Sequence, residues 1–406
     1  MLKRLRSLGP GLIVMAAFMG PGSVTTASVS GANFGFVVAW SVVFATVATI
    51  ILQEMSARLG LVSREGLGEA LRTTFRNPLF KIFAVILVLS AIAVGNLAFT
   101  TGNVTGAGTG LSILTGFSSE VCVVIAAIVA FALLFVGSYR IIERVLIAMV
   151  IVMSVVFLVT AIIVRPDVGA LLRGLVVPAI PAGSLIPIVG LIGSTVVPYN
   201  LFLHASSVQE KWPESVPTRE ALAESRTDTS FSITVGGLIT LAIMSTAATA
   251  FYGRGIGIES AVDMAQQLEP VLGPAAEYFF ATGFMAAGLT SAITAPLAAA
   301  YATQGVLGWE RNLQSWKFRA VWIAVLLVGA TFAFLGTNPV AVIVFAQFAA
   351  GLSLPVIGVF LLIAMNRSDK LGEYRNGMLA NILGAVVVLV VAGLGLFEIL
   401  GAVGAI

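Results

Sequence analysis

The chain has 406 residues, of which 58% are hydrophobic and only 10% charged, and its mean hydropathy is +1.04. Because a soluble globular chain carries about 25% charged residues, this composition excludes an ordinary soluble protein and indicates one that lies in a lipid bilayer. The formal net charge is +3, but the basic residues are scattered through short loops, which argues against nucleic-acid binding. A single cysteine, Cys122, excludes an intrachain disulfide and gives no indication of the compartment.

Eleven mostly apolar segments are long enough to cross a bilayer, which takes about 20 residues each. We number them spans 1 to 11 and predict them at residues 9–32, 35–58, 80–108, 119–137, 142–164, 183–208, 229–252, 274–304, 318–335, 339–365 and 377–400. The first follows three basic residues, as in a signal peptide, but no small-residue cleavage site leads into a soluble domain, so we expect a retained helix. The links are short, which predicts a single membrane domain over 1–406.

The basic residues predict which side each loop faces, because cytoplasmic loops are enriched in Lys and Arg. With the N-terminus in the cytoplasm, all but three of the 22 basic residues fall on the cytoplasmic side, and the exceptions are Arg165, Arg173 and Arg254. Miscounting one span would destroy this asymmetry. The sequence therefore predicts an all-α integral membrane fold, N-terminus in and C-terminus out, in the plasma membrane, or the inner membrane of a bacterium.

Two spans are interrupted in the same way. Span 1 contains "GPGSVTTAS" and span 6 contains "STVVPYNLF", so each has an apolar half, a break at Pro21 or Pro198, and a polar half. Five spans separate the breaks, and an odd number makes the second repeat inverted. Paired interruptions of this kind point to a transporter binding site near the bilayer midplane. We predict inverted repeats at about 9–164 and 183–365, with 377–400 as an extra span; the alternative is two ordinary proline kinks.

Several motifs resemble the Nramp divalent-metal transporters, over nearly the whole chain. "VVPYNLFLHASSVQ" (196–209) is similar to the family's Met-Pro-His-Asn motif of span 6, and "GPGS" (20–23) to its Asp-Pro-Gly-Asn in span 1. "LQEMSARLGLVS" (52–63) and "VFAQFAAGLSLPVIGV" (344–359) match the end of span 2 and span 10. The resemblance implies a LeuT-like fold of five plus five inverted spans and secondary transport of metal ions by alternating access.

The chain departs from the motif at the family's metal ligands. The span-1 Asp and Asn, the span-6 Met and a nearby backbone carbonyl fall, in that order, on Gly20, Ser23, Val197 and Ser194. The resemblance therefore implies a metal site without the usual side-chain ligands. The substrate-binding candidates are Gly20, Ser23, Ser194, Val197, Tyr199, Asn200 and Gln347.

Proton movement in the family is associated with an acidic pair in span 3, which we place on Asn96 and Phe99. His204, the single histidine, is kept from the family's span-6 motif. A histidine inside a span is a candidate proton relay, and structural hydrogen bonding is the alternative. We therefore expect His204 and Asn96 to form a proton or polar relay, without the usual proton coupling.

The residues themselves limit the cargo. We find no Asp or Glu near a span centre, and a dehydrated dication in a low-dielectric interior needs carboxylates to offset a large desolvation penalty. Val197 also removes the soft thioether that favours transition metals. Two alternatives stay open: a metal such as Mg²⁺ or Mn²⁺ that keeps most of its water, or a substrate that is not a metal. Gly20 would open space where a carboxylate projected.

The broken helices expose their ends. We expect free carbonyls near Met19 and Val196, and free N–H groups near Ser23 and Asn200 that could hold an anion or carboxylate. The resemblance to LeuT-like folds also implies a sodium site made by span-8 hydroxyls. The sodium candidates are Thr290, Ser291 and Thr294. The alternative is that these hydroxyls bond their own helix.

The sequence contains no hydrolytic triad, phosphate-binding glycine loop or Cys/His metal cluster, so we expect a transporter rather than an enzyme, with no cofactor. The favoured cargo is a divalent cation. The alternatives are a symporter or uniporter of a small organic or zwitterionic solute, coupled to sodium or uncoupled, and a non-transporting membrane sensor. Expected partners are the bilayer and a small ion or solute, not nucleic acid. The oligomeric state is open, and a monomer is compatible with the sequence.

Overall fold

The computed structural model describes residues 9–74, 77–137, 140–255, 257–310 and 312–402, and these form helices joined by turns. Ten of the described helical segments are long and apolar enough to cross a membrane, and an eleventh is the pair Pro10–Phe18 and Pro21–Phe34, bent by 56°. The expected all-helical membrane fold with interrupted first span is therefore confirmed. Proline starts both halves of the bent pair, at positions where its missing N–H costs nothing.

The spans are bounded as follows: span 1, Pro10–Phe18 and Pro21–Phe34; span 2, Trp40–Ser63; span 3, Pro78–Thr115; span 4, Ser119–Val136; span 5, Arg140–Ile163; span 6, Leu185–Thr195 and Pro198–Lys211; span 7, Thr218–Phe251; span 8, Ala276–Leu307; span 9, Trp316–Leu335; span 10, Pro339–Leu352 and Leu354–Met365; span 11, Met378–Ala402. The links carry short helices at Leu67–Thr74, Val168–Val176, Ala261–Gln266, Glu269–Leu272 and Ser368–Leu371, and two 3₁₀ turns at Gly273–Ala275 and Gly372–Tyr374.

Spans 3, 7 and 10 depart most from the sequence prediction, and span 7 begins at Thr218 instead of 229. Span 3 has 38 residues and ends at Thr115 instead of 108. Its length is roughly 57 Å, compared with about 30 Å for the hydrocarbon core of a bilayer. The length of an apolar run therefore predicts the part of a helix that lies in lipid, but not the residue at which the helix ends. Span 10 is divided at Ser353. Pro355 follows at the start of the second helix, and a residue without an N–H cannot continue the bonding ladder.

Burial separates the interior spans from the outer ones. In the most apolar stretch of span 6, 89% of the residues are buried, compared with 28% in spans 4 and 11. Spans 4 and 11 instead expose large apolar side chains, such as Ile128 and Leu389. Apolar side chains on the outside are what a bilayer requires. Backbone groups that a broken helix leaves unpaired must in turn be shielded from lipid by the rest of the protein. Span 6, with its break, therefore lies where irregular backbone is tolerated.

The loops meet as alternating spans require. At one end, Arg58 in the last turns of span 2 donates to Tyr374 O and Asn376 Oδ1, both at 2.8 Å. At the other end, the Trp40 indole N–H donates to Ala179 O at 2.9 Å. Each contact joins segments that the count places on one side. Which end faces the cytoplasm stays a prediction.

Candidate functional site

The break in span 1 consists of Met19 and Gly20. Met19 leaves the helix (φ −79°, ψ 49°) and Gly20 is extended (φ −97°, ψ −176°) before Pro21 starts the second half. Pro21 has no N–H to donate to the preceding turn, which frees a carbonyl there. The Ser23 hydroxyl donates to the carbonyl of Phe18. The exposed carbonyl end of the first half is thus partly covered by a side chain of the second.

The break in span 6 has the same construction. Val196 leaves the helix (φ −87°, ψ 56°), Val197 is extended, and Pro198 starts the second half. The Ser23 hydroxyl also lies 3.4 Å from Ser194 O, which joins the two breaks. Ser23, Ser194 and Val197 are all buried. The expectation of two matched interruptions is confirmed, and the two meet inside the protein.

Gln347 of span 10 closes one side of the site. A Cβ added to Gly22 would lie 2.3 Å from the Gln347 amide carbon, and one on Gly102 would lie 3.1 Å from Gln347 Nε2. A Cβ on Gly193 would meet Gln347 O at 2.4 Å. The amide is therefore in tight contact with spans 1 and 3, and an added Cβ at Gly22 would displace it. Gln347 thus lies beside the span-1 break, and its role in binding stays a prediction.

Asn103 and Ser291 close the side next to Gly20. A Cβ at Gly20 would lie 2.9 Å from Ser291 Oγ and 3.2 Å from Asn103 Oδ1. The expectation that Gly20 leaves open space is therefore wrong, because side chains of spans 3 and 8 fill it. Asn103 was missed as a site residue. The sequence feature that could have indicated Asn103 is "GNVTG" (102–106), in which glycines lie on both sides of it. These glycines let span 3 approach the break closely: a Cβ on Gly106 would lie 2.3 Å from Pro21 Cβ.

Polar atoms in this region have no protein partner although they are fully buried. In folded proteins most buried polar side chains are hydrogen-bonded, so each exception needs a ligand, a water or another explanation. Among the described residues at the two breaks, the unpartnered atoms are both amide atoms of Asn103, Tyr199 OH, Asn200 Oδ1, Ser291 Oγ and both amide atoms of Gln347. Their concentration indicates a site for a polar ligand.

Two further candidates, Tyr199 and Asn200, lie near the span-6 break. Tyr199 packs edge-on against Phe99, with ring centroids 5.4 Å apart, and its hydroxyl has no partner. Asn200 Nδ2 lies 3.5 Å from Val14 O, across to span 1. The Asn200 backbone N–H donates to Val197 O at 3.0 Å, so the expected free N–H at this position is wrong. An anion site built on that group has no support.

Asn96 lies further along span 3 than the break. Its Nδ2 donates to Ile92 O of the same helix at 2.8 Å, and seven residues separate it from Asn103, roughly 10 Å of helix. The span-3 side chain that meets the break is therefore Asn103 and not Asn96.

The expected sodium ligands bond differently from one another. Thr290 donates to Ala286 O at 2.8 Å and Thr294 to Thr290 O at 2.9 Å, both within their own helix. Ser291 instead lies at the break with its hydroxyl unpartnered. A sodium site made by all three stays a prediction, and of the three only Ser291 contacts the break region.

His204 is held by a single side chain. Its Nδ1 lies 3.0 Å from Gln53 Oε1 of span 2. The other ring nitrogen, Nε2, is buried without a partner. This geometry is compatible with both a structural role and a relay.

The site carries no formal charge in the described part of the chain. No three His, Cys, Asp or Glu side chains come together among these residues. One acidic side chain, Asp228 of span 7, is fully buried, but it accepts the backbone N–H groups of Gly9 (3.1 Å) and Gly11 (2.7 Å) at the start of span 1. Gly11 is nine residues before Gly20, roughly 13 Å of helix.

A family model, "Natural resistance-associated macrophage protein-like" (Nramp), matches residues 11–400. The chain belongs to the Nramp family. Two relatives, each named "Divalent metal cation transporter MntH", are 28% identical: that of Yersinia enterocolitica over 97% of this chain and 94% of its own length, and that of Klebsiella pneumoniae over 98% and 94%. Family membership confirms an integral membrane transporter rather than an enzyme.

Solved structures show the same fold. The manganese transporter of Eremococcus coleocola aligns with a TM-score of 0.78 at 22% identity, over 98% of this chain and 86% of that one. Mhp1, a nucleobase-cation-symport-1 family transporter, aligns with a TM-score of 0.59 at 14% identity, over 97% and 93%. These likenesses confirm the expected LeuT-like architecture for this Nramp protein.

Proposed function

We propose that this Nramp protein is a secondary transporter of divalent cations that binds its cargo with most of the water shell in place. The observation that carries the proposal is the set of neutral, buried, unpartnered oxygens at the breaks, on Asn103, Ser291 and Gln347. Support for the cargo class comes from relatives named divalent metal cation transporters.

The absence of charge at the site favours a hydrated ion over a naked one. Stripping water from an ion in a low-dielectric interior costs several kcal/mol even after relaxation, and carboxylates normally offset that cost. Mg²⁺ in particular dehydrates reluctantly and keeps several waters when bound. Metal-bound waters donate hydrogen bonds, which amide and hydroxyl oxygens accept. The site therefore has the chemistry to recognise a dication through its waters.

The transport cycle in this proposal is alternating access between two inverted repeats, about 9–164 and 183–365, with 377–400 outside them. The N-terminus lies in the cytoplasm, and the membrane is the cytoplasmic membrane. The usual proton coupling is absent in this proposal, because the span-3 acidic pair is replaced by the neutral Asn96 and Phe99 and His204 is bonded to a neutral Gln53.

Uptake into proteoliposomes tests the proposal. Purified protein is reconstituted, and Mg²⁺ and Mn²⁺ entry is followed with ion-sensitive dyes, with and without a proton gradient. We expect saturable entry above empty liposomes that does not depend on the gradient. Entry driven by the gradient would contradict the uncoupled part, and no entry of either ion by folded protein would overturn the cargo.

A second candidate cargo is a small organic or zwitterionic solute. The amide N–H groups of Asn103 and Gln347 also lack partners, and metal-bound waters offer them no acceptor, whereas a carboxylate or carbonyl does. A sodium-dependent screen of small metabolites on the same liposomes would detect it. A non-transporting sensor predicts that both assays fail.

A further inference from the structure

We propose that Asn103 and Ser291 determine which cations this transporter accepts, because they supply from spans 3 and 8 the ligand contacts at the span-1 break and fill the space beside Gly20. The proposal rests on the function proposed above. It assigns a binding role to one residue, Asn103, that lies outside the recognised motifs.

The two side chains converge on one point. Ser291 Oγ and Asn103 Oδ1 lie 2.9 and 3.2 Å from the position of a Cβ on Gly20. Both can therefore contact a single small ligand next to the break. Neither oxygen has a protein partner, and Asn103 and Ser291 are buried. Buried polar groups without partners are costly, so a ligand that bonds both would relieve that cost.

The packing of spans 3 and 8 fixes this arrangement. A Cβ on Gly288 would lie 2.5 Å from Ala107 N, and one on Gly110 would lie 2.6 Å from Ala281 O. The backbones of the two helices thus touch twice on one side of the Asn103–Ser291 pair, beyond Asn103 in span 3 and before Ser291 in span 8. Close backbone contact through small residues is how membrane helices pack tightly, so the pair cannot separate without moving a whole span.

Other hydroxyls on the same helices provide the contrast. Thr109 in span 3 donates to Thr105 O at 2.8 Å, and Thr282 in span 8 donates to Tyr278 O at 2.7 Å. Hydroxyls that bond their own helix are common and need no ligand. Ser291 has no such bond. Thr109→Val and Thr282→Val are therefore matched controls that remove a hydroxyl without touching the site.

The same geometry explains why Gly20 resists a carboxylate. Its Cβ would sit within 3 Å of the Ser291 hydroxyl, so Gly20→Asp requires that hydroxyl to move. In the double variant Gly20→Asp/Ser291→Ala the nearest obstructing atom is gone and Asn103 Oδ1 at 3.2 Å remains. A carboxylate is a preferred ligand for hard dications. We expect the double variant to bind Mn²⁺ at least about tenfold more tightly than Gly20→Asp alone, a coupling typical of residues in contact.

The experiment combines uptake and binding on the full chain. Mg²⁺ and Mn²⁺ uptake is measured for wild type, Asn103→Leu, Ser291→Ala and the two threonine controls, and Mn²⁺ binding by calorimetry for wild type, Gly20→Asp, Ser291→Ala and their combination. Losing one neutral hydrogen bond should raise KM about two- to tenfold in Asn103→Leu and in Ser291→Ala, with the controls unchanged. Asn103→Asp, which keeps the shape, should lower KM and favour Mn²⁺ over Mg²⁺, so the test does not depend on the folding of Asn103→Leu.

The outcomes separate the two proposals. This inference would be overturned, with the proposed function left intact, by one result. In that result the wild type transports dications, and its KM and selectivity are unchanged in Asn103→Leu, Asn103→Asp and Ser291→Ala. If Gly20→Asp and Gly20→Asp/Ser291→Ala bind Mn²⁺ with equal affinity, the claim that the Ser291 hydroxyl obstructs a carboxylate at position 20 is overturned. Wild type that transports neither ion would overturn the proposed function and this inference with it.

Discussion

Two polar regions inside this protein use their hydrogen-bonding groups in opposite ways. At the start of span 1, Asp228 has both carboxylate oxygens bonded, to Gly9 N and Gly11 N, and nearby Glu54 has both of its oxygens paired, to Arg58 and Arg226. At the breaks, about 13 Å further along the helix, the polar groups are neutral and many have no partner.

The difference separates structure from function. The buried or half-buried charges near the start of span 1 are paired with protein groups and hold helices together. The groups at the breaks stabilise little by themselves, since unmade hydrogen bonds cost free energy. A ligand that forms the missing hydrogen bonds would explain why these polar groups are present at the breaks. An unpaired neutral group is thus a better guide to the site here than a charged one.

The largest expected effect comes from Gly22→Ala. Its Cβ would lie 2.3 Å from the Gln347 amide carbon, so the amide must leave its place. We expect dication uptake to fall at least about tenfold, equivalent to 1.4 kcal/mol. The control is Gly393→Ala in span 11, where an added Cβ meets nothing within 4 Å. Normal uptake by Gly22→Ala would show that the position of Gln347 does not matter.

Asp228→Ala tests the other region through stability. It leaves the buried N–H group of Gly11 and the partly buried N–H group of Gly9 without their acceptor. This should cost about 1–3 kcal/mol and lower the thermal unfolding midpoint in detergent. Asp228→Asn keeps an acceptor oxygen and should cost less. The control is the exposed Glu214→Ala. If Asp228→Ala unfolds at the wild-type temperature, the assigned role of Asp228 in holding span 1 is wrong.

Arg226→Ala should have the smallest effect. Its ion pair with Glu54 is 2.9 Å long, but the Arg226 side chain is 56% exposed, and exposed ion pairs contribute less than about 1 kcal/mol. The midpoint should therefore move less than in Asp228→Ala. The reverse order would mean that the exposed pair, and not the buried carboxylate, holds this end together.

Much of the architecture could be predicted from local sequence. Apolar length predicts the eleven spans, and the prolines Pro21 and Pro198, each followed by a polar half, predict the breaks, because a residue without an N–H weakens the helix. Proline alone does not decide a break, since Pro296 lies inside the continuous helix of span 8. The family motifs surround the same breaks. These features depend on neighbouring residues in the chain, so no knowledge of packing was needed.

The occupants of the site depend on packing and were only partly predictable. A motif predicts the position of Gln347. Asn103 instead lies beside Gly20 because glycines let the backbones of spans 3 and 8 touch. A shift of span 3 along its axis would bring a different side chain to the break. The partner of Asp228 is more than 200 residues away in sequence. A local sequence pattern carries no information on contacts between residues that are distant in the chain. For the same reason, the sequence around Gly20 does not show that Asn103 and Ser291 fill the space beside it.

The most direct test of the central claim uses cobalt(III) hexaammine, whose ligands exchange too slowly to be lost and donate hydrogen bonds as metal-bound waters do. It is added outside proteoliposomes while wild-type uptake of Mg²⁺ is recorded, with Mn²⁺ as the ordinary competitor. If the neutral groups at the breaks recognise a cation through its waters, the complex should inhibit uptake competitively. Inhibition by Mn²⁺ but not by the complex would show that the cargo sheds its water before it binds, and would contradict the account.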